Sequence, residues 1–419
     1  MTPVASTLAR QVRRTGGRLV RRWGLLPAGD PDGLGDDDAL RGARLPFTVM
    51  LYFPDTTRNL YQLRQWYRPL RELDRSHRVG VVCLDSRSAA AVRGESGLPV
   101  VCCGRIGTLE ELVARSDIAL ALYVNHNIRN FHPLRFPTML HAYLGHGESD
   151  KAASASNQVK AYDAVLVAGE VGRERLARNL LGYQADRHVR LIGRPQLDGF
   201  APRRATAPSG RTTVLYAPTW EGAQPSMAYG SVRSHGSALL RSLLREDDLT
   251  VVYRPHPRSG ANRADYGEAD RALRALVERH AAADPAAGHR VDLSPDWDVL
   301  ADPADLLVCD VSAVASDWMT TGRPIVVTVP ASPDAFLDAD SVLDVAANLP
   351  ADAADRTAAL VREQLGADVS AARTEWLRRT LGDTSPGAAT AAFVTTCAEL
   401  VAERGRELAA RAARRRGDG

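Results

Sequence analysis

The sequence predicts an α/β protein built from two doubly wound domains in series, facing each other across a cleft. Short apolar runs alternate with helical stretches along most of the chain, which is the pattern of a parallel sheet covered on both faces. The alternation breaks once, over 200–211 (Phe-Ala-Pro-Arg-Arg-Ala-Thr-Ala-Pro-Ser-Gly-Arg), and then resumes. A length of 419 residues also exceeds what one ordinary core accommodates.

Residues 1–45 form a basic segment and linker. Leu8, Val12, Leu19, Val20, Trp23 and Leu26 share one face if 8–26 is helical, and Arg10, Arg13, Arg14, Arg18, Arg21 and Arg22 supply the rest. That pattern suits an anionic membrane surface. Gly16 and Gly17 weaken the helix, and packing on the chain's own domain is the other reading. Residues 27–45 are rich in Pro, Gly and Asp and read as linker.

The first domain is expected over 46–203. Its strands are 46–53, 78–84, 98–103, 117–124, 138–144, 163–168 and 189–193, with helices at 57–73, 107–115 and 171–181. The second is expected over 204–385, with strands 212–217, 249–254, 306–310 and 324–329 and helices near 233–245, 265–282, 296–302 and 312–321. The region 354–413 is helical and rich in Ala and Arg, and 386–419 reads as a C-terminal helix ending in the basic tail Arg411 to Arg416.

The net charge of +3 is too small to imply nucleic acid. Cys83, Cys102, Cys103, Cys309 and Cys397 lack Cys-x-x-Cys spacing and mostly lie in apolar runs, so they read as buried free thiols of a reducing cytoplasm. No run approaches a membrane span, and no signal-peptide core precedes a cleavage site. The sequence contains no Walker loop, no Gly-x-Gly-x-x-Gly after the first strand and no Gly-x-Ser-x-Gly elbow, which weighs against ATPase, dehydrogenase and α/β-hydrolase chemistry. No metal or cofactor is expected.

Ligands of doubly wound sheets bind at the carboxyl ends of the strands, and four motifs fall there. The first is Leu144-Gly145-His146-Gly147-Glu148-Ser149-Asp150-Lys151. Flanking glycines allow a sharp turn that exposes the imidazole, and a histidine so placed can take a proton from a hydroxyl near neutral pH. The only lysines among 53 Lys and Arg residues are Lys151 and Lys160. A lysine kept in an arginine-rich chain suggests a site that needs a compact point charge, and Lys151 lies beside this turn. Asp150 or Glu148 either orients the imidazole or caps the following helix.

The second motif, Tyr216-Ala217-Pro218-Thr219-Trp220-Glu221-Gly222, presents Thr219 at a strand end. In the third, Tyr253-Arg254-Pro255-His256-Pro257-Arg258, two prolines stiffen a loop carrying three potential cations, which suggests an anionic ligand. A solvated basic loop is the plainer alternative. The fourth runs from Leu306 to Asp317 and turns a buried strand into a helix through Asp310-Val311-Ser312. A helix N-terminus with a serine can hold phosphate, although the same pattern is an ordinary N-cap. Arg323 opens the next strand.

In this order the motifs resemble the CDP-glycerol glycerophosphotransferases of wall teichoic acid synthesis. His146-Gly147 with Lys151, Ala217-Pro218-Thr219, His256-Pro257 and Asp310-x-Ser312 with Asp317 carry the resemblance, over roughly 118–330. The chain departs from the family pattern at Val311 and Ala313, where the family has Tyr and Ser, and at Gln196, where it has Arg, with Arg194 nearby. The resemblance implies two Rossmann-like domains of the GT-B type, the first on the acceptor side and the second holding the nucleotide donor.

It further implies transfer of a phosphopolyol from a CDP-activated donor to a lipid-linked or polymeric acceptor, with release of CMP, by a protein peripheral on the cytoplasmic face of the membrane. In that picture His146 and Lys151 are catalytic, and Thr219, Arg254, His256, Arg258, Ser312, Asp317, Arg194 and Arg323 bind donor phosphate. The rival readings are a GT-B enzyme using a nucleotide sugar and a non-catalytic, membrane-associated scaffold with a degenerate transferase fold.

Overall fold

The continuous β-branched and aromatic runs of the sequence become strands, and most of those inside each sheet are buried on both faces. A computed structural model describes residues 34–198, 210–294 and 303–417. The first sheet contains β1 (Val49–Phe53), β2 (Val79–Cys83), β3 (Val100–Cys102), β4 (Leu120–Tyr123), β5 (Leu140–Tyr143), β6 (Ala164–Val167) and β7 (Val189–Leu191), in the order β3-β2-β1-β4-β5-β6-β7. The second contains β8 (Thr212–Ala217), β9 (Leu249–Tyr253), β10 (Arg290–Val291), β11 (Leu306–Asp310), β12 (Ile325–Thr328) and β13 (Ala347–Leu349), in the order β10-β9-β8-β11-β12-β13. All recorded pairings are parallel.

The strand order of each sheet reverses between its first and fourth strands. That places one switch point at β1/β4 and the other at β8/β11, where this architecture opens a crevice. Close packing explains one glycine inside a strand: a Cβ on Gly80 would sit 2.1 Å from the Phe47 ring. The five cysteines are free and buried.

The C-terminal helix Ala388–Gly417 leaves the second domain and packs on the first, where Phe393, Cys397 and Leu400 join Trp66, Leu70 and the β1, β2 and β4 side chains in one core. The expected helix at 57–73 is a short 3-10 turn followed by helices Leu60–Arg64 and Tyr67–Asp74. The helical region after 354 divides into Thr357–Leu365, Ala371–Leu381 and Ala388–Gly417. Part of the expected linker is ordered: Leu34–Ala39 is helical, and buried Asp37 accepts the amides of Gly104 and Arg105 at 2.9 and 3.1 Å. The basic segment 8–26, the expected helix at 296–302 and all but the last two residues of the 200–211 break lie outside the described residues.

Candidate active site in the interdomain cleft

Gly145 turns the chain out of β5 at φ +65°, and its carbonyl accepts the indole N–H of Trp66 at 2.8 Å. The turn delivers His146 beside β4, where Nδ1 lies 3.0 Å from the Val124 carbonyl. A carbonyl only accepts, so Nδ1 carries the proton and Nε2 holds a lone pair. Burial pushes the His146 pKa down to about 4, and the positive charges of Arg194, Lys151 and Arg258 push the same way against the Val124 bond. The ring is therefore a neutral base at neutral pH.

His256 has the opposite hydrogen placement. Its Nδ1 accepts the Arg258 amide at 3.1 Å, which leaves the proton on Nε2. Burial, then Lys151, Arg258 and His146, lower its pKa to about 3. The Tyr61 ring lies edge-on to both imidazoles, at 6.1 Å from His146 and 5.6 Å from His256. Trp220 stacks on His256 at 6.4 Å, and the Arg258 guanidinium lies 3.9 Å above the Trp220 ring. The buried Arg258 Nε has no hydrogen-bond partner in the structure.

Lys151 reaches from the first domain to the second, where its ammonium donates to Thr219 Oγ1 at 2.6 Å. Burial lowers its pKa to about 8, opposed by the nearby Asp310 carboxylate. Asp310 itself is structural. It accepts the Thr219 amide at 2.8 Å, the Ser231 amide at 3.2 Å and the Thr328 hydroxyl at 2.6 Å, which fixes Thr219 under the lysine.

Two candidates, Arg194 and Asp317, serve to join the domains. Arg194 grips Asp317 with two bonds of 3.0 Å and also donates to Gln65 Oε1 at 3.1 Å. Both partners of that ion pair are buried, so the pair clamps the domains across the cleft. Beside it, a Cβ on Gly147 would come within 2.6 Å of the Ala313 Cβ, so this glycine permits the close approach. Ser312 directs its hydroxyl to the Asp310 carbonyl at 3.0 Å, at the start of the helix Ala313–Met319.

Arg254 pairs with Asp292 at 3.4 Å, beside the strand end of β9. Arg323 is committed to packing: it lies 3.6 Å over Trp318 and donates to the Ala304 carbonyl at 2.7 Å. Neither acid beside the histidine orients it. Glu148 accepts the Ala168 amide at 2.8 Å. Asp150 accepts Arg175 at 2.7 Å and, across the cleft, the Val342 amide at 2.7 Å. Lys160 caps a carbonyl, that of Leu181, at 2.6 Å.

Tyr61 and Gln62, on a helix, and Trp66, in the turn after it, escaped sequence reasoning because they belong to no motif, although Asn125 and Trp220 follow strand ends and had that signal. Among the described residues no group of three His, Cys, Asp or Glu side chains is arranged to hold a metal, and no helix is long and apolar enough to cross a membrane.

Two Rossmann-like domains facing across a cleft give an α/β fold of the GT-B type. The fold is similar to that of the wall teichoic acid polymerase TagF, with a TM-score of 0.53 at 12% identity over 96% of this chain and 98% of that one. A histidine variant of TagF soaked with CDPG matches with a TM-score of 0.52 at 12% identity, covering 96% and 99%. A glycosyltransferase from Rickettsia africae matches with a TM-score of 0.50 at 9% identity, covering 85% and 98%. No curated protein sequence matches. The sequence profile of the CDP-glycerol:poly(glycerophosphate) glycerophosphotransferases matches residues 136–379, more than half of the chain. The chain belongs to that family and is a glycerophosphotransferase-like enzyme.

Proposed function

We propose that the chain transfers a phosphopolyol, glycerophosphate in the first instance, from its CDP-activated form to a hydroxyl of a lipid-linked cell-envelope acceptor, releasing CMP. One observation carries the residue roles: two neutral imidazoles with opposite hydrogen placement meet in the cleft among Lys151, Arg194 and Arg258. The acceptor oxygen attacks the β-phosphorus, an oxygen–phosphorus bond forms, and the bond from that phosphorus to the CMP oxygen breaks. The acceptor's proton passes to His146 Nε2, and CMP leaves with the electron pair. Lys151, Arg258 and the Nε2–H of His256 face the charge that develops on the phosphoryl and leaving oxygens. Such transfer depends on positioning and charge stabilisation, which these side chains supply.

In this reading the acceptor is met at the cytoplasmic face of the membrane, with the basic segment 8–26 against anionic lipid. The donor is tested with the full-length protein in the presence of CDP-glycerol, CDP-ribitol, UDP-sugars or GDP-sugars. A CDP-polyol at a hundred times its dissociation constant stabilises the fold by about 2.7 kcal/mol, and phosphorus NMR with acceptor present detects CMP. Stabilisation and turnover with sugar nucleotides alone would replace this reading with sugar transfer.

A further inference from the structure

We propose that Asp55, Asn125 and Gln62 form a positioning relay that fixes which ring nitrogen of His146 is free to take a proton. The inference rests on the reading of His146 as the base and adds the residues that set its tautomer. Asp55 lies just beyond β1 and Asn125 just beyond β4, so the relay starts at the switch point of the first sheet. Asn125 and Gln62 are buried.

Asn125 Nδ2 donates to Asp55 Oδ2 at 2.8 Å and to Gln62 Oε1 at 2.7 Å. A carboxylate offers only acceptors, so Asn125 must turn its nitrogen toward Asp55. The second N–H of that nitrogen then selects the oxygen of Gln62. With its oxygen committed, Gln62 turns Nε2 to the other side, 3.1 Å from the Tyr61 hydroxyl and 3.4 Å from His146 Nε2. A donor facing Nε2 requires a lone pair there. The Val124 carbonyl on the far side of the ring, which requires a proton on Nδ1, makes the same demand.

Residues 124 and 125 thus specify both ends of the imidazole. Asn130 holds this segment through the Asn125 carbonyl at 2.7 Å. The Gln62 contact with the ring is the longest in the relay, so an acceptor hydroxyl can replace it while the shorter bonds keep the amides oriented.

Charge alone does not make this choice. The charged groups facing His146 are Arg194, Lys151 and Arg258, with the Tyr61 ring and neutral His256 beside it. Those cations disfavour an imidazolium, but they do not discriminate between the two neutral tautomers. The relay and the Val124 carbonyl do, and a base protonated on Nε2 has no lone pair to offer the acceptor.

The test is nitrogen-15 NMR of the His146 ring in the full-length protein, assigned by loss of the signal in His146→Ala, together with the pH profile of kcat/KM. Wild-type protein should show the Nδ1–H form. Asp55→Ala removes the acceptor that fixes both amides, so the Nε2–H form should appear and kcat should fall about tenfold or more with donor KM unchanged. Gln62→Glu sets a carboxylate against Nε2 and should raise the acid limb of kcat/KM by about one unit or more. An unchanged tautomer in Asp55→Ala overturns the relay, even if activity falls, because lost packing alone predicts that result. An unmoved acid limb in folded Gln62→Glu overturns it too, and if that variant does not fold the Asp55→Ala spectrum decides. Failure of the base reading is separate: it is read from turnover in His146→Ala, whereas the tautomer is observed without turnover.

Discussion

Lys151 makes donor binding sensitive to mildly alkaline pH. Burial brings its pKa from 10.5 to about 8, a shift worth about 3 kcal/mol. The unfolded chain keeps its proton between about pH 8 and 10.5 while the folded chain has lost it. Ligand-free stability from this group therefore rises with pH across that window, and the charged lysine is a burden on the empty cleft at neutral pH. A donor diphosphate reverses the balance, since one negative charge about 4 Å away contributes roughly 4 kcal/mol at an effective dielectric of 20.

Binding then takes up a proton wherever the free lysine is neutral. The donor Kd should be flat from pH 6.5 to 7.5 and weaken about tenfold by pH 9. Other groups do not mimic this limb: burial raises the pKa of Tyr61 and of the Cys309 thiol, and both cleft histidines titrate below neutrality. The assay is calorimetric titration of CDP-glycerol across this pH range, on wild type, Lys151→Arg and Lys151→Met. Lys151→Arg should bind more weakly at pH 7 but lose the alkaline limb, because a guanidinium keeps its charge. A wild-type Kd unchanged at pH 9, with Lys151→Met binding normally at pH 7, would refute the reasoning.

A second outcome follows from the structure and a third from the sequence. Arg194→Met leaves Asp317 buried and unpaired, so the folded state should lose about 3 to 5 kcal/mol in urea titration, and a loss below about 1 kcal/mol would deny the clamp its role. Deleting residues 1–26 should leave a folded protein with reduced co-sedimentation on anionic liposomes, and unchanged co-sedimentation would remove this segment from membrane binding.

The strand pattern was legible because each buried parallel strand is a continuous apolar run, so both sheets and the positions of the four motifs could be placed from sequence. Short or edge elements carried too little signal: β10 has two residues and β13 three. The helix Ser86–Glu95 escaped because its run of Ser, Ala and Gly has a weak apolar face, although Asp85 caps it. His146, Lys151, Thr219, His256 and Arg258 were legible as types at strand ends, and the structure brings them into one cleft.

The partners of the charged residues were not legible. Arg194 and Asp317 read as phosphate ligands because each lies beside a motif, but they are 123 positions apart and meet only once the domains face. Arg323 reads the same way until Trp318 lies under it. The relay to His146 joins a loop, a strand end and a helix, and no spacing in the sequence announces it.

The most direct measurement of the central claim is turnover of CDP-glycerol by wild type and His146→Ala at saturating donor and acceptor, with CMP and transferred glycerophosphate counted together. The account predicts equal amounts of both from wild type. It predicts a loss of roughly two to four orders of magnitude in His146→Ala, with donor affinity little changed. Near-normal turnover in the variant would contradict it.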